Sequence, residues 1–484
     1  MPLYTSTDDL TAGQTPPPPP LSRRGSAHAL VRHVSRRGWK SILGHAARTS
    51  LRAALLGYSI RSGLLFLLRL LRVYKGKLPV LKALRESFAG RDSARMAAFF
   101  AIFAFVWKAS NNAIIAFRDG KDDHINSFLS GSLAGALACL AEEKQWRIDM
   151  SQQLLVRGLQ SVFNSLSLNG HFHFRHGNSL IFALATAQVM YGYVMRPGTI
   201  PNSYYRFILN TGPIPEDILL LARQQLGGTV PMDVTQVMKA VVNHKGTALA
   251  IEEASKIQDF PDFLPCGVLH PPLDSCDAQM GHTFGKVMKA ILPVYASLNF
   301  VPMVVLKTRE LVRRPQSLLI RGLKNTFRSS LFLAVFVATF MRIACVFREL
   351  GRRGIIPRDS RYYFWLNGFI SSAAIFIEDE KRRSELAMYV LPRGVDALYQ
   401  TLYSKSLIFR VPHFEVGMFS AAMGLIIMYF QTEPEALGGI IYRLLRRVDL
   451  TIEDADAIIK EEKVVDDDGE HKGKDVKARK EKSL

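Results

Sequence analysis

The residues with the most chemical potential lie in one short stretch, Pro265-Cys266-Gly-Val-Leu-His270-Pro271-Pro-Leu-Asp274-Ser-Cys276, with His282 just beyond it. Two thiolates and two imidazoles make the donor set of tetrahedral zinc. The spacing is not that of a zinc finger, no Cys-x-x-Cys occurs, and the prolines favour an extended path. The expectation is therefore a packing or folding role for Cys266, His270 and Cys276, with no metal. Cys139 and Cys345 sit inside apolar stretches, and four cysteines in 484 residues cannot form a disulfide scaffold, a usage that suits a reducing compartment. A second turn, His171-Phe-His173-Phe-Arg-His176, alternates imidazoles with aromatic residues and has no acid nearby, as a membrane-interface loop would. The phosphate-loop, nucleophile-elbow and His-Glu-x-x-His patterns are all missing, so no enzymatic activity and no cofactor are expected.

The elements around these residues are apolar. Uncharged windows at 125–141, 177–195, 290–306, 362–377 and 416–432 each approach the roughly 17 to 25 residues that cross a bilayer as a helix. Three more, 51–71, 96–117 and 329–347, are interrupted by single basic residues. Gly131-Ser-Leu-Ala-Gly135 is a Gly-x-x-x-Gly pattern of the kind that lets helix backbones approach, and Gly368 keeps a small residue at the corresponding place. Arg157, Arg393, Lys108 and Arg342 are charges inside apolar segments. Two roles stay open for them: snorkelling or pairing with acids such as Glu143 and Glu380, or facing a substrate.

An offset of 237 residues superposes Tyr58 on Tyr295, Asp122 on Asp359, Gly131 on Gly368, His176 on His413, Pro197 on Pro434 and Tyr205-Arg206 on Tyr442-Arg443. With one residue deleted, Arg157-Gly158 falls on Arg393-Gly394, and the apolar windows recur in the same order. The expected fold is all-α: a polytopic membrane protein of two tandem homologous repeats, each of about four to five helices, between disordered tails. Its boundaries are a basic Pro-rich arm at 1–49, a first repeat at 50–210, a connector with the Cys/His loop at 211–286, a second repeat at 287–447 and a charged tail at 448–484.

The formal charge is +20, from 62 Lys and Arg against 42 Asp and Glu, while the mean hydropathy is only +0.08. Between Leu10 and Gly90 the only acid is Glu86, so much of the excess is N-terminal. Arg23-Arg24-Gly25-Ser26 there suits a basophilic kinase, although such strings are common. The remaining basic residues edge the apolar windows, and no groove interleaves them with aromatic residues as single-strand binders do. The partners expected are the bilayer, anionic lipids and other membrane proteins, and not nucleic acid. No secretory signal opens the chain, and the closing Lys482-Ser483-Leu484 transposes the peroxisomal address.

Leu264-Pro-Cys266 through His270-Pro271 to Ser275-Cys276, with Ile291-Leu-Pro-Val-Tyr295 and Arg328-Ser-Ser-Leu-Phe-Leu-Ala334, resembles the cysteine-containing domain of the transmembrane protein 135 family in a fungal-type form. Asp122-Asp-His-Ile-Asn126 through Gly131 and Gly135 to Leu154-Leu-Val-Arg157-Gly158 resembles the Tim-type superfamily of mitochondrial translocase subunits and peroxisomal membrane proteins. The resemblance covers about residues 50–450. It implies an integral, multi-pass protein of the peroxisomal membrane, with the mitochondrial membrane as the alternative, linked to lipid metabolism and organelle dynamics. It implies no known reaction. Three hypotheses follow: a non-enzymatic protein of membrane homeostasis or lipid and metabolite movement; a channel or import component whose groove is lined by Arg157 and Arg393; and a lipid-modifying enzyme using Cys266, His270 and Cys276.

Overall fold

The computed structural model describes residues 39–448, apart from 75–77, 120, 172–173, 175, 228–230, 258, 307–313 and 410. Most of the Pro-rich arm, its Arg23 to Ser26 string, and the tail from 449 lie outside the described residues. A helix, α1 (Trp39–Tyr74), begins inside the range 1–49 expected to be arm. Ile42, Ala46, Thr49 and Ala53 recur at helical spacing and are buried, which carries the helix back to that point.

Among the described residues every regular element is helical. In order they are α1 (Trp39–Tyr74), α2 (Val80–Phe88), α3 (Arg91–Phe117), α4 (His124–Cys139), α5 (Lys144–Leu168), α6 (Gly177–Met195) and α7 (Asn202–Thr211). Four shorter helices follow, α8 (Glu216–Gly227), α9 (Val234–Asn243), α10 (Ala248–Ser255) and α11 (Cys266–Leu269). Then come α12 (Cys276–Leu306), α13 (Pro315–Arg352), α14 (Arg361–Ser371, continued as a 3-10 turn over Ser372–Ile377), α15 (Glu380–Ser404), α16 (Phe414–Thr432) and α17 (Gly439–Val448).

Among the described residues three stretches are long and apolar enough to cross a membrane: Val80–Phe117, Pro315–Arg352 and Phe414–Thr432. The windows at 125–141 and 362–377 instead form α4, of 16 residues, and α14, of 11 residues. At about 1.5 Å per residue α4 falls short of a hydrocarbon core of about 30 Å, and so does the α-helical part of α14 before its 3-10 continuation. The window at 177–195 is α6, in which Val189 through Val194 are buried without interruption while Leu180 and Leu184 stay exposed, so protein covers its C-terminal part.

The chain folds as two compact units, 1–172 with 413–484 and 173–412, which cut across the contiguous boundaries expected from the sequence. In the first unit α16 packs on α4 and α5; in the second α6 packs on α14 and α15. Glycines mark both contacts. A Cβ on Gly131 would lie 2.7 Å from Ile427 Cβ, and one on Gly135 2.7 Å from Met423 Cβ, both on α16. A Cβ on Gly368 would lie 3.0 Å from the Ala187 Cα and the Met190 Cβ of α6. Only a hydrogen in place of the side chain allows such approaches.

The first unit has a dense aromatic core. Trp107 is fully buried, Phe99 meets Trp146 edge-on at 5.3 Å between centroids, and Phe419 lies 5.8 Å from Phe99. Asp123 starts α4 by accepting from the Asn126 backbone N–H, and the Arg118 guanidinium donates to both of its carboxylate oxygens. In the second unit α8 to α11 pack around Val237, Val241, Ala254, Leu264 and Val268. This small helical cluster presents α11 and the loop after it.

Candidate functional site

Within the second unit a cavity of about 630 Å³ opens among α6, α7, α12, α13 and α15. Its walls are mostly apolar, with Phe182, Met190, Ile291, Phe336 and Val390 among them. Helix α15 contributes Arg382, Leu386, Tyr389, Val390 and Arg393. These positions fall at 0, 4, 7, 8 and 11 along the helix and so share one face, with an arginine at each end of an apolar strip about 16 Å long. Pro392 lies inside this helix and removes the backbone N–H that would bond to residue 388.

The two arginines are held differently. Arg382 donates from Nη1 to Ser329 Oγ at 2.8 Å and to the Asn325 carbonyl at 3.5 Å. Arg393 is half-buried at the other end of the strip, and beside it Gly394 closes on α6, where a Cβ would lie 2.8 Å from Ala185 Cα. Tyr204 of α7 faces the same space. Burial pushes its phenol well above the ordinary range, Tyr389 adds to that shift, and the Arg393 charge opposes it. The arrangement offers an apolar body with a cation and phenols at its edges, which is how proteins hold an amphipathic anion.

The other charges singled out in the sequence lie elsewhere. Arg157 donates from Nη1 to Gln160 Oε1 at 3.0 Å in the first unit and does not line this cavity. Glu143, considered above as its partner, pairs with Arg95 instead. Lys108 is buried with its ammonium 4.5 Å from the Trp107 ring centroid, a cation–π contact. Arg342 pairs through Nε with Asp277 at 2.8 Å. A buried pair escaped the sequence reading: Arg348 donates from Nε to the Leu264 carbonyl at 2.9 Å and lies 3.7 Å from Asp359. Only the single acid in a Pro- and Arg-rich turn, Arg353-Gly-Ile-Ile-Pro-Arg358-Asp359, hinted at it.

The Cys/His loop gains a member that its sequence position concealed. Cys266 opens α11, His270 caps it, Cys276 opens α12, and Cys345 reaches them from α13. The four ligand atoms all lie within 4.8 Å of one another. His282, grouped with the loop in the sequence, is exposed and takes no part. In the His-rich turn His173 lies outside the described residues, His171 is exposed, and His176 meets the Phe376 ring edge-on at 5.7 Å. A hydrogen bond from Cys345 pulls the Cys266 thiol well below its ordinary range against the cost of burial, and His270 assists. Burial lowers His270, but its bonds to Cys266 and to the Leu273 carbonyl outweigh this and leave it raised. Burial raises Cys276.

Neither a family model nor a solved structure matches the chain.

Proposed function

We propose that the protein is a non-enzymatic, two-repeat helical membrane protein that binds and moves an amphipathic anion of the fatty-acid class. The observation that carries this reading is the cavity of about 630 Å³ with apolar walls and the paired cations Arg382 and Arg393. Such a volume suits a small organic ligand, and a guanidinium over an apolar strip suits a carboxylate or phosphate on a hydrocarbon chain. The resemblance to the transmembrane protein 135 family points the same way, toward the peroxisomal membrane, with the mitochondrial membrane as the alternative.

Support for two related halves comes from the helix bounds. Adding 237 carries α6 (Gly177–Met195) onto α16 (Phe414–Thr432), α7 (Asn202–Thr211) onto α17 (Gly439–Val448), and the starts of α1 and α4 onto those of α12 and α14. Adding 236 carries α5 (Lys144–Leu168) onto α15 (Glu380–Ser404), which puts the deleted residue ahead of α15. A hydrogen-bonded corner recurs at that second offset. Arg147 donates to the carbonyls of Glu142 and Leu140, and Arg383 to those of Glu378 and Phe376, with both glutamates buried. On this reading each half lends its late apolar helix, α6 or α16, to the other.

The same correspondence accounts for the cavity. The first unit packs Trp146 against Phe99 and Phe419. The corresponding residues of the second are Arg382, Phe336 and Phe182, all of which line the cavity. Replacing an indole by an arginine that turns to Ser329 leaves apolar space unfilled and adds a cation to it.

The test uses the full chain purified in detergent and a fluorescent fatty acid, cis-parinaric acid. Saturable binding is expected, displaced by palmitate and not by its methyl ester, and weakened about 10- to 100-fold by Arg393→Leu or Arg382→Leu, the range of a lost charge-assisted hydrogen bond of about 1.5–3 kcal/mol. Equal displacement by acid and ester, or unchanged binding in both folded variants, overturns the reading. A channel would instead need Arg157 and Arg393 in one water-filled groove, and ion conductance by the reconstituted chain would favour it.

A further inference from the structure

We infer that Cys266, His270, Cys276 and Cys345 together hold one zinc ion in a closed Cys3His site. The inference stands apart from the cavity and does not depend on what the cavity binds.

The sequence separates the four ligands by as much as the distance from Cys266 to Cys345, and the fold gathers them from three helices. Cys266 opens the single turn of α11 and His270 caps it, the His270 N–H donating to the Cys266 carbonyl at 3.0 Å, so the turn brings the two residues together. Cys276 is the first residue of α12, and Cys345 approaches from the last third of α13. Zinc bonds of about 2.3 Å to sulfur and about 2.0–2.1 Å to nitrogen, at tetrahedral angles, place sulfur and nitrogen about 3.6 Å apart and two sulfurs about 3.8 Å apart. Cys276 Sγ lies 3.6 Å from His270 Nε2, and no pair of ligand atoms is further apart than 4.8 Å. The remaining edges need to close by about 1 Å at most, within the reach of a χ1 adjustment.

The imidazole is already set for a metal. His270 is 2% exposed, and its Nδ1 lies 2.7 Å from the Leu273 carbonyl. A carbonyl only accepts, so Nδ1 carries the proton, and the Nε2 lone pair faces the sulfurs. This is the outer hydrogen bond that fixes the ring of a ligating histidine. Charge is provided for as well. Three thiolates, a neutral imidazole and Zn²⁺ sum to −1, and the buried Arg348 guanidinium sits one turn beyond Cys345, bonded to the Leu264 carbonyl two residues before Cys266. Its Nη2 makes no hydrogen bond but lies 3.7 Å from the buried Asp359, so the cation is shared between that carboxyl group and the site.

Thiolate donors favour zinc over magnesium or calcium. Because the protein fills all four positions, no open position remains for water or substrate, so the site is structural. It would clip the loop between α11 and α12 to α13, whose Phe340 and Met341 form part of the cavity wall. On binding, the metal displaces the thiol protons to solvent, with no change in oxidation state.

The test is elemental analysis of the full chain, purified in detergent without chelators or metal-affinity resin. One zinc per chain is expected, and Cys345→Ser should lose it. Since removing a buried ligand can also unfold the protein, the wild-type chain is exchanged with Co²⁺. Thiolate-to-cobalt charge transfer and the visible bands of tetrahedral cobalt are expected there, with a red shift and retained metal in His270→Cys. Metal-free protein whose thiols all react under native conditions overturns the inference. So does a Cys266–Cys345 disulfide by intact mass, or full zinc occupancy in folded Cys345→Ser.

Discussion

Gly394→Ala and Gly285→Ala make the same chemical change at two interior helical positions and should move stability in opposite directions. In isolation each gains about 0.8–1 kcal/mol, because alanine gives up less backbone freedom on entering a helix. At Gly285, on α12, a Cβ meets nothing within 4 Å, so that gain stands. At Gly394, on α15, it would lie 2.8 Å from Ala185 Cα, 2.9 Å from Ala185 O and 3.0 Å from Ala185 Cβ. Carbon contacts relax at about 3.5–4.0 Å, so α15 and α6 would have to part by about 0.5–1 Å. The obstructing atoms belong to the backbone and Cβ of a buried helix and cannot rotate aside. Overpacking of this kind costs about 1–3 kcal/mol, which exceeds the propensity gain and leaves a net loss of about 1 kcal/mol. For a unit of about 240 residues that corresponds to about 2–4 °C in Tm. Thermal unfolding of both variants, followed by near-UV circular dichroism in one detergent at one scan rate, should place Gly285→Ala above the wild type and Gly394→Ala below it. If Gly394→Ala melts above the wild type alongside Gly285→Ala, the close contact of α6 with α15 is wrong, and with it the packing of the second unit.

A cysteine pair, Gly158→Cys with Leu425→Cys, tests the corresponding contact in the first unit: a Cβ on Gly158 would lie 3.3 Å from Leu425 Cβ, close to the roughly 3.5–4.5 Å of a disulfide. Oxidised protein cut at a protease site introduced at 228–230 should stay as one band on a denaturing gel, and separation into two fragments would refute α5–α16 packing. Leu386→Trp, on the cavity face of α15, should abolish fatty-acid binding while the variant still unfolds cooperatively, and retained binding would move the ligand out of this cavity. Asp123→Ala should cost about 1 kcal/mol through loss of the α4 cap. The Arg118 hydrogen bonds hold the Asp123 carboxyl below its ordinary range, so its contribution is complete above that range and fades as pH falls through the lowered value. A wild-type minus Asp123→Ala stability difference that stays constant from neutral pH down through the carboxylate range would contradict that assignment.

Much of the helical content was legible because apolar runs and their charged borders are local properties. The window at 177–195 coincides with α6, and 416–432 lies within α16. The windows at 125–141 and 362–377 marked helices that are shorter than the windows suggested: α4 and α14 pack on α16 and α6 through small residues such as Gly131, Gly135 and Gly368, and leave Ile125, Leu129, Leu133, Leu137, Leu366 and Ile370 exposed. Gly131, Gly135 and Gly368 announced close helix contacts without naming the partners.

The partners were not recoverable for a physical reason. If α6 and α16 descend from one helix, each presents nearly the same apolar face, so packing within a half and packing on the other half bury comparable surface and leave the same periodicity in the sequence. Only the folded chain distinguishes them. The candidate metal centre shows the same division. Types and spacing alone assigned Cys266, His270 and Cys276 to one loop, while Cys345 looked like any small apolar residue of a long helix. Its thiol becomes a fourth ligand only because α13 runs past α11, a contact between residues about 80 positions apart that no local pattern encodes. The cavity likewise is lined by residues of α6, α7, α12, α13 and α15 that only the fold brings together. The sequence by itself determined a helical, basic, largely apolar chain with paired motifs; tertiary structure decided which helices meet, which donors converge and where space is left.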